Sequence, residues 1–154
     1  MKISTRGRYA LRMLVDLART QGDGYVSLTE IAERLDTSKK YLEQIVSILT
    51  REGYLQTTRG FKGGYRLARA ASTYRVGDVL RATEGSIAPV ACADCDAKSA
   101  VACPRCEECA THRVWKKLAE LVSDYLDGLT VQDLVDGKAD IDRSELYFED
   151  GAGV

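Results

Sequence analysis

SLTEIAERLDTSKKYLEQIVSILTREGYLQTTRGFKGGYRL, residues 27–67, is the stretch that decides the fold. It opens on Ser27-Leu28-Thr29-Glu30, a capping box. The serine oxygen can accept from the backbone N–H of Glu30, and the glutamate can reach back to the N–H of Ser27. Leu28, Ile31, Ala32 and Leu35 recur at three- and four-residue steps, so a short helix with one apolar face follows. Asp36-Thr37-Ser38 is a tight polar turn, and Ser38 is a good N-cap for a second helix from about Lys39 to Glu52. Leu42, Ile45, Val46 and Leu49 take its inner face and leave Lys39, Lys40, Glu43, Gln44 and Ser47 outside. Short helix, tight turn and second helix with a polar face are the parts of a helix-turn-helix. Gly53 ends the second helix. Residues 54–58 and 65–67 then form two strands around the glycine-rich tip Arg59-Gly60-Phe61-Lys62-Gly63-Gly64. A hairpin placed there is a wing, and its glycines let the backbone turn and approach another molecule closely.

The flanks extend this unit. Residues 5–20 carry an apolar stripe of Tyr9, Leu11, Met13, Leu14, Leu17 and Ala18, which predicts an amphipathic helix. Val76–Ala82 predicts another, and residues 85–105, with both prolines, predict irregular chain. A long helix is expected from about Glu107 to Leu126, with Val114, Leu118, Leu121, Val122 and Tyr125 at helical spacing and Trp115 beside them. Thr130 caps a last short helix through Val131, Leu134 and Val135. The expected fold class is mainly α: a winged helix-turn-helix with a small two-stranded wing and a long C-terminal dimerisation helix. The expected division is 1–84 for DNA binding, 85–106 for a cysteine-rich cofactor or sensor loop, 107–136 for the dimerisation helix and the short helix after it, and 137–154 for an acidic, flexible tail.

The chain has 154 residues, 45% hydrophobic and 29% charged, a globular composition that suits one domain with an appendage. No stretch approaches the ~18 consecutive apolar residues of a membrane span. The arginine-studded N-terminus lacks the uninterrupted apolar core of a secretory signal, so a cytoplasmic protein is expected. The net charge of −1 conceals a separation: residues 1–76 hold 14 Lys and Arg against 7 Asp and Glu, whereas residues 77–154 hold 8 against 16. A basic half that contains a helix-turn-helix points to double-stranded DNA. Lys39 and Lys40 suit the groove entrance. Glu43 and Gln44 can read cytosine and adenine edges. Arg59 suits a narrow minor groove, and Lys62 is a second DNA-binding cation at the wing tip. The apolar stripe of Trp115, Leu118, Leu121, Val122 and Tyr125 has too few partners in its own subunit, which predicts a homodimer and a palindromic operator.

All five cysteines, Cys92, Cys95, Cys103, Cys106 and Cys109, lie within 18 residues of one another. An odd, clustered set in a reducing compartment suits a metal or redox site better than a disulfide framework. Thiolates and imidazole bind iron–sulfur clusters and zinc, and His112 is the only histidine. Cys92, Cys95, Cys103 and Cys106 could also make a four-thiolate zinc site, with Asp94 and Asp96 as oxygen ligands in reserve. A metal-free thiol sensor and plain reduced thiols are the other readings. A small cysteine-dependent oxidoreductase is the enzyme alternative. Against it, the chain has no glycine-rich nucleotide loop beside a βα unit and no second histidine to activate a thiol, so an enzyme is not expected.

These residues resemble the Rrf2 family of bacterial winged-helix regulators, the IscR-like and NsrR-like proteins. The resemblance runs over about residues 1–136. It rests on MKISTRGRYALRMLVDLA, Tyr41-Leu42-Glu43-Gln44, Arg59-Gly60 with Gly63-Gly64-Tyr65, Val76-Gly77-Asp78-Val79, Ile87-Ala88-Pro89-Val90, and Cys109-Ala110-Thr111-His112 leading into Val114-Trp115. It implies a homodimeric transcription factor whose long C-terminal helix crosses to the partner. In the IscR-like members three cysteines and a following residue hold a 2Fe–2S cluster. Carried over residue by residue, the ligands would be Cys92, Cys103, Cys109 and His112. Five residues separate Cys103 from Cys109 and two separate Cys109 from His112, as in the family pattern. The ten residues between Cys92 and Cys103 exceed the family's five, and Cys95 and Cys106 are extra. Cys95 and Cys106 therefore stand in reserve as ligands, and a 4Fe–4S cluster or zinc stays open as the centre. Some members lack the cysteines, so a cofactor-free or zinc-binding regulator answering to thiol oxidation or a partner protein is the alternative.

Overall fold

In the computed structural model residues 2–60, 63–94 and 108–138 are described. Helix α1 (Thr5–Thr20) starts at Ser4, whose Oγ accepts from the N–H of Gly7. A second cap comes from far along the chain: Glu84 Oε1 accepts from Ser4 Oγ at 2.6 Å and from the N–H of Gly7 at 3.1 Å. A carboxylate there also meets the positive end of the helix dipole. Ala10, Met13, Leu14 and Leu17 of α1 are wholly buried and form the centre of the core. Fully burying a leucine or methionine side chain contributes roughly 1.5–3 kcal/mol, so α1 is the main scaffold of the molecule.

Helix α2 (Leu28–Arg34) has both arms of its expected capping box. Helix α3 (Lys39–Arg51) begins at Ser38, whose Oγ accepts from the N–H of Tyr41, and Leu42, Ile45, Val46 and Leu49 are buried as expected. Strands β1 (Leu55–Thr58) and β2 (Gly64–Leu67) pair antiparallel from Leu55 opposite Leu67 to Thr58 opposite Gly64. The wing is pinned to the start of α2, because Val26 and Tyr65 exchange two backbone hydrogen bonds of 2.9 Å. A Cβ at position 64 would run into the carbonyl of Val26, so this close approach requires glycine.

A 3-10 turn at Ala71–Thr73 leads to Tyr74, which is 1% exposed. Its hydroxyl accepts from the N–H of Arg69 at 2.7 Å and donates to the carbonyl of Tyr54 at 3.0 Å, so the buried phenol is satisfied at both ends. Helix α4 (Val76–Glu84) packs on α1, and a second 3-10 turn, Ala91–Ala93, packs on helix α5 (His112–Gly128). Helix α6 (Val131–Asp136) folds back onto α1, with Val131 wholly buried in the main core. Two backbone bonds of 2.9 Å, Val76 N–H to Leu129 O and Val131 N–H to Tyr74 O, fasten this return. Val76, Leu80 and Ile87 make a smaller second core under the end of α5.

The long helix differs from expectation at its start. It begins at His112 rather than about Glu107, and it runs to Gly128. Residues 108–111 are turn, and the N–H of His112 is taken by the Cys109 carbonyl at 3.1 Å, which closes a tight turn instead of extending the helix. Residues 139–154, most of the expected acidic tail, lie outside the described residues, as do Lys62, Cys95, Asp96, Cys103 and Cys106.

Candidate nucleic-acid interface and cysteine centre

Capping and burial together decide which side chains α3 presents. With Leu42, Ile45, Val46 and Leu49 in the core, Lys39, Lys40, Glu43, Gln44 and Ser47 are all exposed on the opposite face. Arg59 is exposed at the end of β1, on the approach to the wing tip. Between helix and wing lies an open cleft of about 480 Å³ lined by Glu43, Val46, Ser47, Thr50, Arg51, Thr57 and Tyr65. Glu43 thus lines the cleft, and Ser47, Thr57 and Arg51 are groove candidates beside it. The strand alternation could have flagged Thr57. Nothing in the sequence places Arg51, which caps no pattern. The Oγ1 of Thr50 is buried with no hydrogen-bond partner among the described residues. This surface offers cations for phosphates and both donors and acceptors for base edges.

Of the expected metal ligands, Cys92, Cys109 and His112 are described. Cys92 sits exposed in the 91–93 turn, which packs on α5. Cys109 is exposed in the turn before α5. The Thr111 hydroxyl lies 3.4 Å from its Sγ and holds the thiol below the ordinary thiol range, helped by the backbone N–H groups of Thr111 and His112. The positive end of α5 acts in the same direction. His112 is the first residue of that helix, and its Nδ1 is buried without a hydrogen-bond partner among the described residues. Buried polar atoms are ordinarily partnered, so this nitrogen is an anomaly. An acidified thiol, followed three residues later by an imidazole nitrogen with no partner among the described residues, fits the donors that an iron–sulfur or zinc centre takes. No three Cys, His, Asp or Glu side chains converge on a metal-sized site among the described residues.

The expected dimer residues share α5 but not one environment. Trp115, Leu118, Leu121 and Tyr125 are exposed at 37–43%, and Val114 joins them at 60%. Val122 is partly buried and lines an apolar hollow with Ile3, Leu80 and Leu126. The one buried residue of the helix is Ala119, which the periodicity did not single out. The helix therefore turns a small side chain toward its own domain and its bulky ones away from it. Its far end is strapped down: Arg81 holds Asp127 through two bonds of 2.8 and 2.7 Å, and Arg75 donates to the Asp127 carbonyl at 2.7 Å. A side chain at Gly77 would collide with the Asp127 carboxylate, so the glycine makes room for the strap.

Residues 3–137 match the family described as Rrf2, iron-dependent transcriptional regulator. Protein rrf2 of Nitratidesulfovibrio vulgaris is 40% identical over 135 residues, which covers 88% of this chain and 87% of that protein. The HTH-type transcriptional regulator IscR of Erwinia tasmaniensis is 36% identical over 138 residues, 90% of this chain and 81% of the relative. The solved structure of CymR, the global cysteine regulator of B. subtilis, superposes with a TM-score of 0.71 at 34% identity, covering 89% of this chain and 98% of CymR. These relatives are transcriptional regulators, not enzymes. Among the described residues no helix is long and apolar enough to cross a membrane. With its winged helix-turn-helix and its match over nearly the whole length, the chain belongs to the Rrf2 family of DNA-binding transcriptional regulators.

Proposed function

We propose that this regulator acts in the cytoplasm as a homodimer on a palindromic operator and adjusts its affinity through an iron–sulfur cluster of the 2Fe–2S type. Cys92, Cys103, Cys109 and His112 are the ligands we assign, with Cys95 and Cys106 in reserve. The observation that supports this reading is the Nδ1 of His112, buried without a hydrogen-bond partner among the described residues, three residues after the acidified thiol of Cys109. When bound, such a cluster supplies a reversible redox and ligand-exchange centre. The chain's own residues do the rest. Cys109 and His112 stand at the threshold of α5, and Cys92 stands on a turn packed against the same helix. The Arg81–Asp127 strap holds the other end of α5 to α4, and through it to the DNA-reading domain. Ligation at one end of a helix fixed at the other biases the spacing of two recognition helices in a dimer, which is a coupling of two sites. In this reading residues 1–84 bind DNA, 85–106 sense, and α5 dimerises through Trp115, Leu118, Leu121, Val122 and Tyr125. Lys39, Lys40 and Lys62 meet phosphates, Glu43 and Gln44 read bases, and Arg59 enters the minor groove.

A second reading is a cofactor-free thiol regulator, favoured by the exposed position and lowered pKa of Cys109. Visible absorption of anaerobically purified protein, with iron, sulfide and zinc analysis, separates the two. Iron and sulfide in equal amounts, lost in each of Cys92→Ala, Cys103→Ala and Cys109→Ala, are expected. His112→Ala should keep a more labile cluster, because a carboxylate or water can take its place. Protein without iron whose operator affinity follows thiol oxidation would establish the second reading.

A further inference from the structure

A groove between α1, α2 and α6 plays no part in the activity described above. Its floor is apolar, built from Leu11, Val15, Leu35 and Leu134, each partly buried, and its volume is about 500 Å³. Three arginines stand around it. Arg34 is engaged by Asp16 at 2.8 Å. Arg12 lies over the ring of Tyr9 at 5.0 Å, and Arg19 donates to the carbonyl of Val135 at 3.1 Å. Both are exposed, and neither meets a carboxylate among the described residues. An apolar floor beside two uncompensated cations calls for a short segment that is both hydrophobic and acidic.

We propose that the groove is the docking site of this chain's own C-terminal segment, Glu145-Leu146-Tyr147-Phe148-Glu149-Asp150. The described chain stops at Lys138, just past the helix whose Leu134 forms part of the floor. Eight residues from Lys138 to Leu146 can reach at most about 28 Å, enough to turn back across α6. The segment joins three consecutive apolar residues to three carboxylates. In an extended chain Leu146 and Phe148 share one face, so both can enter the floor while Tyr147 keeps its hydroxyl in water. Glu145 and Glu149 lie on the Tyr147 side of the strand, at the groove rim, where the long side chains of the exposed Arg12 and Arg19 can reach them. The short tether raises the effective concentration to the millimolar range, so contacts that would be weak between separate molecules suffice.

Methyl and aromatic NMR of the full-length protein tests this directly. Nuclear Overhauser contacts are expected from the Phe148 ring to the methyls of Leu11, Val15 and Leu134, weakening as salt rises. Phe148→Ser should abolish them while the remaining spectrum stays dispersed. The double change Arg12→Glu/Arg19→Glu should lower the docked population about tenfold, as the loss of two exposed ion pairs dictates. Adding Glu145→Arg/Glu149→Arg should restore it. The proposal is overturned if the contacts are missing in the wild type, or if they persist unchanged in Arg12→Glu/Arg19→Glu. It is also overturned if, in mixed labelled and unlabelled samples, they arise only between chains, which would make a second copy the occupant.

Discussion

Cys109 and Thr111 form a chemically active pair of neighbours before α5. The Thr111 hydroxyl donates toward the sulfur and favours the thiolate, so the pKa is depressed and the reactive form is present at lower pH than for an ordinary thiol. Alkylation of Cys109 in the apoprotein should reach half its maximal rate below the pH of a model thiol, and Thr111→Val should move that midpoint upward. Peptide mapping after timed iodoacetamide treatment across a pH series reads both. A midpoint unmoved by Thr111→Val would mean that the hydroxyl does not set the thiol's acidity. Glu43 is the second informative residue. It is exposed and lines the cleft between α3 and the wing, where its acceptor can meet a cytosine amino group. Glu43→Ala should cut discrimination at one base position by about 1–3 kcal/mol and leave total affinity nearly constant, because it also removes a charge that phosphates repel. Binding to a panel of operator variants shows this as a changed ranking, and an unchanged ranking would assign base reading elsewhere.

The elements show where local signals end. The caps of α2 and α3 were legible because their partners lie three residues away, at Ser27 with Glu30 and Ser38 with Tyr41. The cap of α1 by Glu84 was not, since 80 residues separate Ser4 from that carboxylate. Helix α5 is the clearest case of a pattern read correctly and oriented only by the fold. Its bulky stripe was visible, and the fold leaves Val114, Trp115, Leu118, Leu121 and Tyr125 exposed while Val122 is partly buried. That Ala119 would be the buried residue goes with the packing of the 91–93 turn on α5, which no periodicity encodes. The strap of α5 gives an element-level prediction. Asp127→Ala removes a two-pronged ion pair whose carboxylate is 42% exposed, so the cost is discounted for solvent to about 1 kcal/mol. Urea unfolding should register that loss, and amide exchange should rise at the C-terminal end of α5 more than in α3. Equal exchange at both places would make the strap redundant.

At the scale of the whole molecule, charge separation and an uncovered apolar face set the behaviour. Residues 1–76 carry a net +7 against −8 in residues 77–154, and the basic half holds the winged helix. Operator affinity should therefore fall by roughly a thousandfold or more between ~50 and ~200 mM salt, through release of counterions from several phosphate contacts. A shallow slope in titrations across that range would remove the phosphates from the account. The face of Val114, Trp115, Leu118, Leu121 and Tyr125 is large and exposed in the single chain. Leu121→Asp places a charge in its middle and should give monomers in sedimentation that retain the wild-type circular dichroism and lose tight operator binding. A dimer of full affinity in that variant would put the seam on another surface.

The sequence alone determined the helix-turn-helix and its wing, because each signal there is local. Capping boxes act over three residues, helical stripes over four, and the wing is a hairpin of adjacent strands. The family resemblance rested on the same short motifs, and the match over residues 3–137 bears it out. The tertiary structure alone decided what depends on chain segments meeting from a distance. It buried Tyr74 between the carbonyl of Tyr54 and the N–H of Arg69, joined Arg81 to Asp127, and returned α6 to the main core through Val131. It also left the His112 Nδ1 buried with no partner among the described residues while Cys109 stayed exposed. Burial is a property of the space that several elements enclose together, and no single stretch of chain carries it.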